Sequence, residues 1–138
     1  MVLAACAALV SEPDVLLLDG HGYAHPRRFG LASHIGVLLD RPTVGCAKSR
    51  LIGQYEEPER IFGANTPLTD HDEVVGAAVR TRPRHKPLFV SPGHEVSVET
   101  AVAIAVACCR NGHFMPEPTR LAHELVTRER RQRIAAME

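Results

Sequence analysis

The chain predicts an α/β fold, and three stretches carry that prediction. Val15-Leu16-Leu17-Leu18 is a short unbroken apolar run with the look of a buried strand, and Thr43-Val44-Gly45-Cys46-Ala47 is a second. Between them, apolar residues recur near helical spacing. Two strands joined by one helical crossover are normally parallel neighbours with a right-handed connection. Their carboxyl ends then share one edge of the sheet, where open α/β folds bind their ligands.

With 138 residues, 45% of them hydrophobic, the chain is long enough to form one domain with its own core. Its 16 basic and 16 acidic residues cancel, so no global field announces a nucleic-acid partner. Any such binding must come from local patches. Cys6, Cys46, Cys108 and Cys109 show no CxxC spacing and read as reduced, mostly buried thiols of a cytosolic protein. Met1 to Val10 is apolar, but too few residues precede Cys6 for a signal peptide. The run is also far short of the ~20 residues that span a bilayer.

Residues 2–11 read as a core helix, although no Ser, Thr, Asp or Asn caps its start. That uncapped start suggests a chain that opens in the middle of an architecture. Pro13 and Asp14 turn into the strand 15–18. A helix is expected from Pro26 to about Leu39, with Phe29, Ala32, Ile35, Gly36 and Leu39 near helical spacing and Leu31 and Leu38 widening that face. Asp40-Arg41-Pro42 ends it, and the second strand, 43–47, runs up to Lys48.

Residues 49–73, punctuated by Gly53, Pro58, Gly63 and Pro67, read as an irregular surface excursion. Asp70-His71-Asp72-Glu73 within it has the composition of a metal cluster and the context of a solvated acidic turn. Strands are expected at 73–80 and 87–91, joined through the basic hairpin turn Arg82-Pro83-Arg84-His85-Lys86. Ser97 caps the next helix, with Glu99 in its first turn. Val98, Ala101, Val102, Ala105, Val106 and Cys109 make that helix apolar nearly all round, which predicts a central position. Asn111-Gly112 stops it, and a last helix after Pro116 and Pro118 ends in a solvated tail of mixed charge.

The stretch Asp19-Gly20-His21-Gly22-Tyr23-Ala24-His25-Pro26-Arg27-Arg28 gathers the candidate chemistry. Asp19 ends a strand and offers a carboxylate to a hard cation, with a turn-forming aspartate as the plainer alternative. Gly20 and Gly22 allow close approach of backbone or ligand. Arg27 and Arg28, placed in the first turn of a helix from Pro26, would oppose its dipole and so call for a bound anion, phosphate first. Lys48 shares its sheet edge with Asp19. His25 is either a site residue or a helix cap, and His94, after Pro92-Gly93, is equally open. His21, His34, His71, His85, His113 and His123 carry no comparable context.

Taken together, these residues resemble the endonuclease V family. The resemblance rests on Val15 to Gly22, His25-Pro26-Arg27-Arg28, Gly30-Leu31-Ala32-Ser33-His34 and Pro42 to Leu51. It continues through Lys86-Pro87 and Gly93-His94 to Pro116-Glu117-Pro118-Thr119-Arg120-Leu121-Ala122-His123. It implies a ribonuclease H-like mixed sheet flanked by helices, and a nuclease of DNA repair that uses Mg2+, with Mn2+ as a possible substitute. The substrate implied is DNA carrying deoxyinosine or another deaminated base, with RNA inosine also open, cut at the second phosphodiester bond on the 3′ side.

By motif position, Asp19 would be a metal ligand, His25 a site residue near the metal, Lys48 a contact to the scissile phosphate and His94 a second-line site residue. Gly22, Gly30, Leu31, Ala47 and Leu51 would line the pocket for a flipped base. The family's first-strand aspartate, its proline-tyrosine wedge and a further glutamate have no counterpart here. The resemblance therefore implies a single domain over 1–138 that is truncated at its N-terminus and incomplete in its sheet. A partner chain is one source for the missing part. One carboxylate is a sparse cage for Mg2+, so a non-catalytic nucleic-acid-binding remnant, or one half of a split nuclease, is the competing expectation.

Overall fold

The computed structural model describes residues 2–137. In chain order its elements are α1 (Val2–Ala7), β1 (Leu16–Leu18), α2 (Leu31–Leu39), β2 (Thr43–Ala47), β3 (Asn65–Asp70), β4 (Glu73–Val79), β5 (Leu88–His94), α3 (Val98–Ala107) and α4 (Glu117–Met137). One mixed sheet holds all five strands in the order β1-β2-β5-β4-β3. β1 and β2 are the expected parallel neighbours, Leu16 opposite Thr43 and Leu18 opposite Gly45. The other pairings, β2 with β5, β5 with β4 and β4 with β3, are antiparallel.

β2 is buried at every position because its two faces serve two different layers. Val44 and Cys46 join Val79, Leu88, Val90, Ala101 and Ala105 in a core beneath α3. On the opposite face, the Thr43 hydroxyl donates to the Ala32 carbonyl of α2 at 2.6 Å. A Cβ on Gly45 would stand 2.6 Å from the Gly20 carbonyl oxygen, so only glycine lets the 19–30 loop lie flat on the strand. A second core on this loop's side gathers Ala24, Ala47, Leu68, Val75, Ala78 and Phe89.

The structure corrects several expectations. α1 spans six residues and buries none of them, so the N-terminal apolar run is not a core helix. α2 begins at Leu31, not at Pro26, because Arg28 sits at a φ of 56°, where a right-handed helix cannot pass. The Arg28 N–H instead closes a turn on the His25 carbonyl at 2.8 Å. Gly30 is the extended N-cap.

Inside the supposed excursion lies β3, whose Pro67 is tolerated because the strand is at the sheet edge. Asp70-His71-Asp72-Glu73 is the tight turn joining β3 to β4, with both central residues at positive φ, 50° and 64°. β5 continues through Pro92, Gly93 and His94. α3 is capped by Ser97, which accepts from the Thr100 N–H at 3.1 Å. It buries Ala101, Val102 and Ala105 but leaves Ala103 and Ala107 exposed, so it covers one face rather than sitting centrally. β1, at the other edge, is three residues long and half-buried.

Candidate functional site

The parallel pairing of β1 and β2 brings Asp19 and Lys48 together. The Lys48 Nζ stands 3.7 Å from the Asp19 Oδ2, with 42% and 46% of the two side chains exposed. An ion pair that open to water contributes little stability. Its position at two adjacent strand ends makes it a place where a solvent-borne anion and cation can both be met.

The 19–30 loop frames this pair. The Gly22 N–H donates to the Ser91 Oγ at 2.9 Å and the Tyr23 N–H to the Pro92 carbonyl at 2.7 Å. A Cβ on Gly22 would stand 2.3 Å from that carbonyl oxygen, and one on Gly30 would stand 2.4 Å from the His21 carbonyl oxygen. Both glycines are therefore needed for backbone packing. The His21 Nε2 lies 3.0 Å from the Ser49 carbonyl, tying the loop to the residue after Lys48. Burial is the main cause that lowers the His21 pKa, only partly offset by that hydrogen bond, and the nearby His25 lowers it further. The neutral ring that results donates Nε2–H to Ser49, and its Nδ1 is buried without a partner.

His25 sits in the turn at the loop's tip, where its Nδ1 accepts from the Arg27 N–H at 3.1 Å. It is not a helix cap. Arg27 is exposed, whereas the Arg28 guanidinium is held by Asp70 and Glu73, each at 2.9 Å. The anion-binding helix start is also different from expectation, since the Ala32 N–H donates to the His21 carbonyl at 3.0 Å. Leu31 and Leu51 are about half exposed, and Ala47 is buried in the second core.

His94 is not with these residues. β5 runs antiparallel to β2, so His94 pairs with Thr43, where β2 begins. Lys48 lies five residues further along, roughly 16 Å at ~3.3 Å per residue. At that far end the His94 Nε2 stands 3.4 Å from the Asp40 Oδ1 and 3.5 Å from the Glu95 Oε1. These three side chains form the one grouping of metal-ligating type among the described residues. Neither Asp40, at the C-cap of α2, nor Glu95, just past β5, was marked by any strand-end or motif signal. Asp40 lies 54 residues from His94 in sequence, which hid the grouping, although Glu95 directly follows that histidine.

The five-stranded mixed sheet, with one parallel pair at its edge and helices packed against it, has a ribonuclease H-like α/β architecture. A sequence model described as Endonuclease V matches residues 1–124, and the chain belongs to that family. It is 58% identical over 116 residues to the endonuclease V of Methanothrix thermoacetophila, covering 84% of this chain and 52% of that one. Among solved structures, the endonuclease V of Streptomyces avermitilis superposes with a TM-score of 0.89 at 44% identity, covering 96% of this chain and 58% of that one. A Ciona intestinalis endonuclease V in complex with DNA containing an inosine followed by a ribo-adenosine superposes at 0.74 with 34% identity, covering 95% of this chain and 61% of that one. The chain thus spans just over half the length of these relatives.

Proposed function

We propose that this chain serves DNA repair as an endonuclease of the endonuclease V type, hydrolysing the second phosphodiester bond 3′ to deoxyinosine or another deaminated base. The observation that carries the reading is the Asp19–Lys48 pair at adjacent parallel strand ends. Lys48 would meet the scissile phosphate and offset the negative charge that develops on it. The half-exposed Leu31 and Leu51 would offer apolar surface to a base drawn out of the stack, and Gly22, Gly30 and Ala47 would shape the pocket from beneath through the close packing of the 19–30 loop. Exposed Arg27, beside His25 on the same loop, would meet a flanking phosphate. His25, at the loop tip, is the nearby proton carrier.

The cofactor we propose is Mg2+, with Mn2+ as a substitute, and Asp19 is the residue that would hold it. Mg2+ sites commonly use one or two carboxylates together with water and substrate phosphate, so a lone Asp19 meets the minimum. The ion, when bound, supplies polarisation of a phosphoryl oxygen and a more acidic water. The Asp40, His94 and Glu95 grouping is a poor Mg2+ site, because imidazole suits transition metals better.

We further propose that strands and carboxylates outside this sequence complete the domain along the free edge of β1, supplied by a partner chain or by further residues of the same protein. The protein then works in the cytoplasm on damaged DNA, with RNA inosine as a second substrate. Among the described residues, no helix is long and apolar enough to cross a membrane.

The test is cleavage of a labelled deoxyinosine duplex with Mg2+, with Asp19→Ala as control. Cutting one bond beyond the lesion, lost in the control, supports the reading, and cutting that ignores Asp19 sinks it. A second reading, a nucleic-acid-binding module without catalysis, is favoured by the single carboxylate at the site. It predicts inosine-duplex binding that weakens with salt and is indifferent to Asp19→Ala.

A further inference from the structure

The turn from β3 to β4 is 45 residues away in sequence from the loop that carries His25, yet the two are joined through one guanidinium. The Arg28 Nε donates to the Glu73 Oε1 at 2.9 Å, and Nη2 donates to the Asp70 Oδ2 at 2.9 Å and to the Asp70 carbonyl at 3.3 Å. The remaining arm, Nη1, donates to the His25 carbonyl at 3.0 Å, beside the Arg28 N–H that donates to the same oxygen at 2.8 Å. The Tyr23 hydroxyl donates to the second Glu73 oxygen, and the guanidinium lies 5.8 Å from the centre of the Tyr23 ring. Every arm of Arg28 is therefore used, and two of them end on carboxylates of the turn. A surface ion pair of this kind adds little to global stability. A planar fork satisfied on three sides does restrict where its own backbone can go.

The base of the loop is held independently. Gly22 is bonded to Ser91, Tyr23 to Pro92, and Gly30 to the Gly22 carbonyl at 2.9 Å. Ala24 is buried in the second core, so loss of the Arg28 contacts would free residues 25–28 without unseating the loop from β5. We propose that Arg28 and Glu73 are positioning residues: the β3–β4 turn, acting through the Arg28 guanidinium, sets the backbone of His25, and Arg28 is not a phosphate ligand. This rests on the nuclease reading only for its effect on cleavage, since the placement of His25 is a property of the free protein.

The two roles open to Arg28 give opposite results in Glu73→Gln. If Arg28 were a phosphate ligand held back by Glu73, removing that charge would tighten binding to a deoxyinosine duplex. The salt dependence would then steepen by about one unit. The positioning role predicts unchanged affinity and salt slope. It also predicts a shifted or broadened His25 imidazole signal in the NMR spectrum of the full chain, with core methyl signals in place. Cleavage in single-turnover conditions would fall roughly 10-fold. Arg28→Lys, which keeps the charge and loses the fork, should reproduce the His25 change.

A His25 signal indifferent to both variants overturns the proposal, whether or not the chain cleaves DNA, and so does tighter binding by Glu73→Gln. A chain that neither binds nor cuts the duplex while its His25 signal moves would leave the positioning intact and remove the nuclease reading alone.

Discussion

The two ends of β2 carry related side chains in contrasting settings. Where the strand finishes, one carboxylate faces one lysine across 3.7 Å, beneath a glycine-rich loop. Where it begins, one histidine stands between two carboxylates at 3.4 and 3.5 Å, against the end of α2. Asp19 and His94 look alike in sequence, since each comes at the end of an apolar run. Strand direction separates them: β1 is parallel to β2 and delivers Asp19 to its far end, while β5 is antiparallel and delivers His94 to its start. Position after a strand therefore locates a residue on a sheet edge only once the pairing direction is known.

The largest effect that sharpens this contrast is expected from Asp19→Ala, which should lower cleavage by on the order of 10³-fold. His94→Ala should leave it within about threefold, since an independent site roughly 16 Å away along the strand has no contact with the reacting phosphate. A single-turnover assay of both variants checks this, and equal losses would break the separation of the two ends.

Next in size is Lys48→Gln, expected to slow cleavage roughly 10²-fold while leaving the thermal midpoint nearly unchanged, because an exposed pair contributes little to folding. Stability should respond where packing is tight. Gly22→Ala at one end would place a Cβ 2.3 Å from the Pro92 oxygen, and Gly36→Ala at the other would place one 2.3 Å from the His94 Cβ. Each should cost about 1–3 kcal/mol in urea unfolding. Only the Gly22 variant should also impair cleavage by the protein that remains folded.

The smallest effect concerns pH. His21 has its folded pKa held below the ordinary 6.5 by burial. Its contribution is present above 6.5 and is lost as pH falls toward the folded value, because the unfolded chain then binds the extra proton. The thermal midpoint should decline modestly through that window, and His21→Asn should flatten the decline.

Much of the carboxyl-end site was legible in the sequence, and the reason is local. A strand, a crossover and a second strand within about 35 residues leave little choice of arrangement, so the pairing of Asp19 with Lys48 follows from the sequence alone. Ser97 announced α3 through its own side chain. What failed depended on distant partners. Pro26 has the residue type of a helix start, but the left-handed Arg28 is stabilised by a turn 45 residues away. β3 lacks strand-like composition and exists because β4 offers it an edge. The N-terminal run has core composition, yet nothing among the described residues buries it.

Cys46 lies in the strand that leads to Lys48, fully shielded from solvent, and burial pushes its thiol well above the ordinary range. Half-buried Cys6 and Cys108 should react with an alkylating reagent early, while Cys46 should take up label only when β2 parts from its neighbours. Its labelling half-life in native buffer therefore times the opening of the scaffold beneath the site. Addition of an inosine-containing duplex should lengthen that half-life in proportion to how firmly the nucleic acid holds the strand closed.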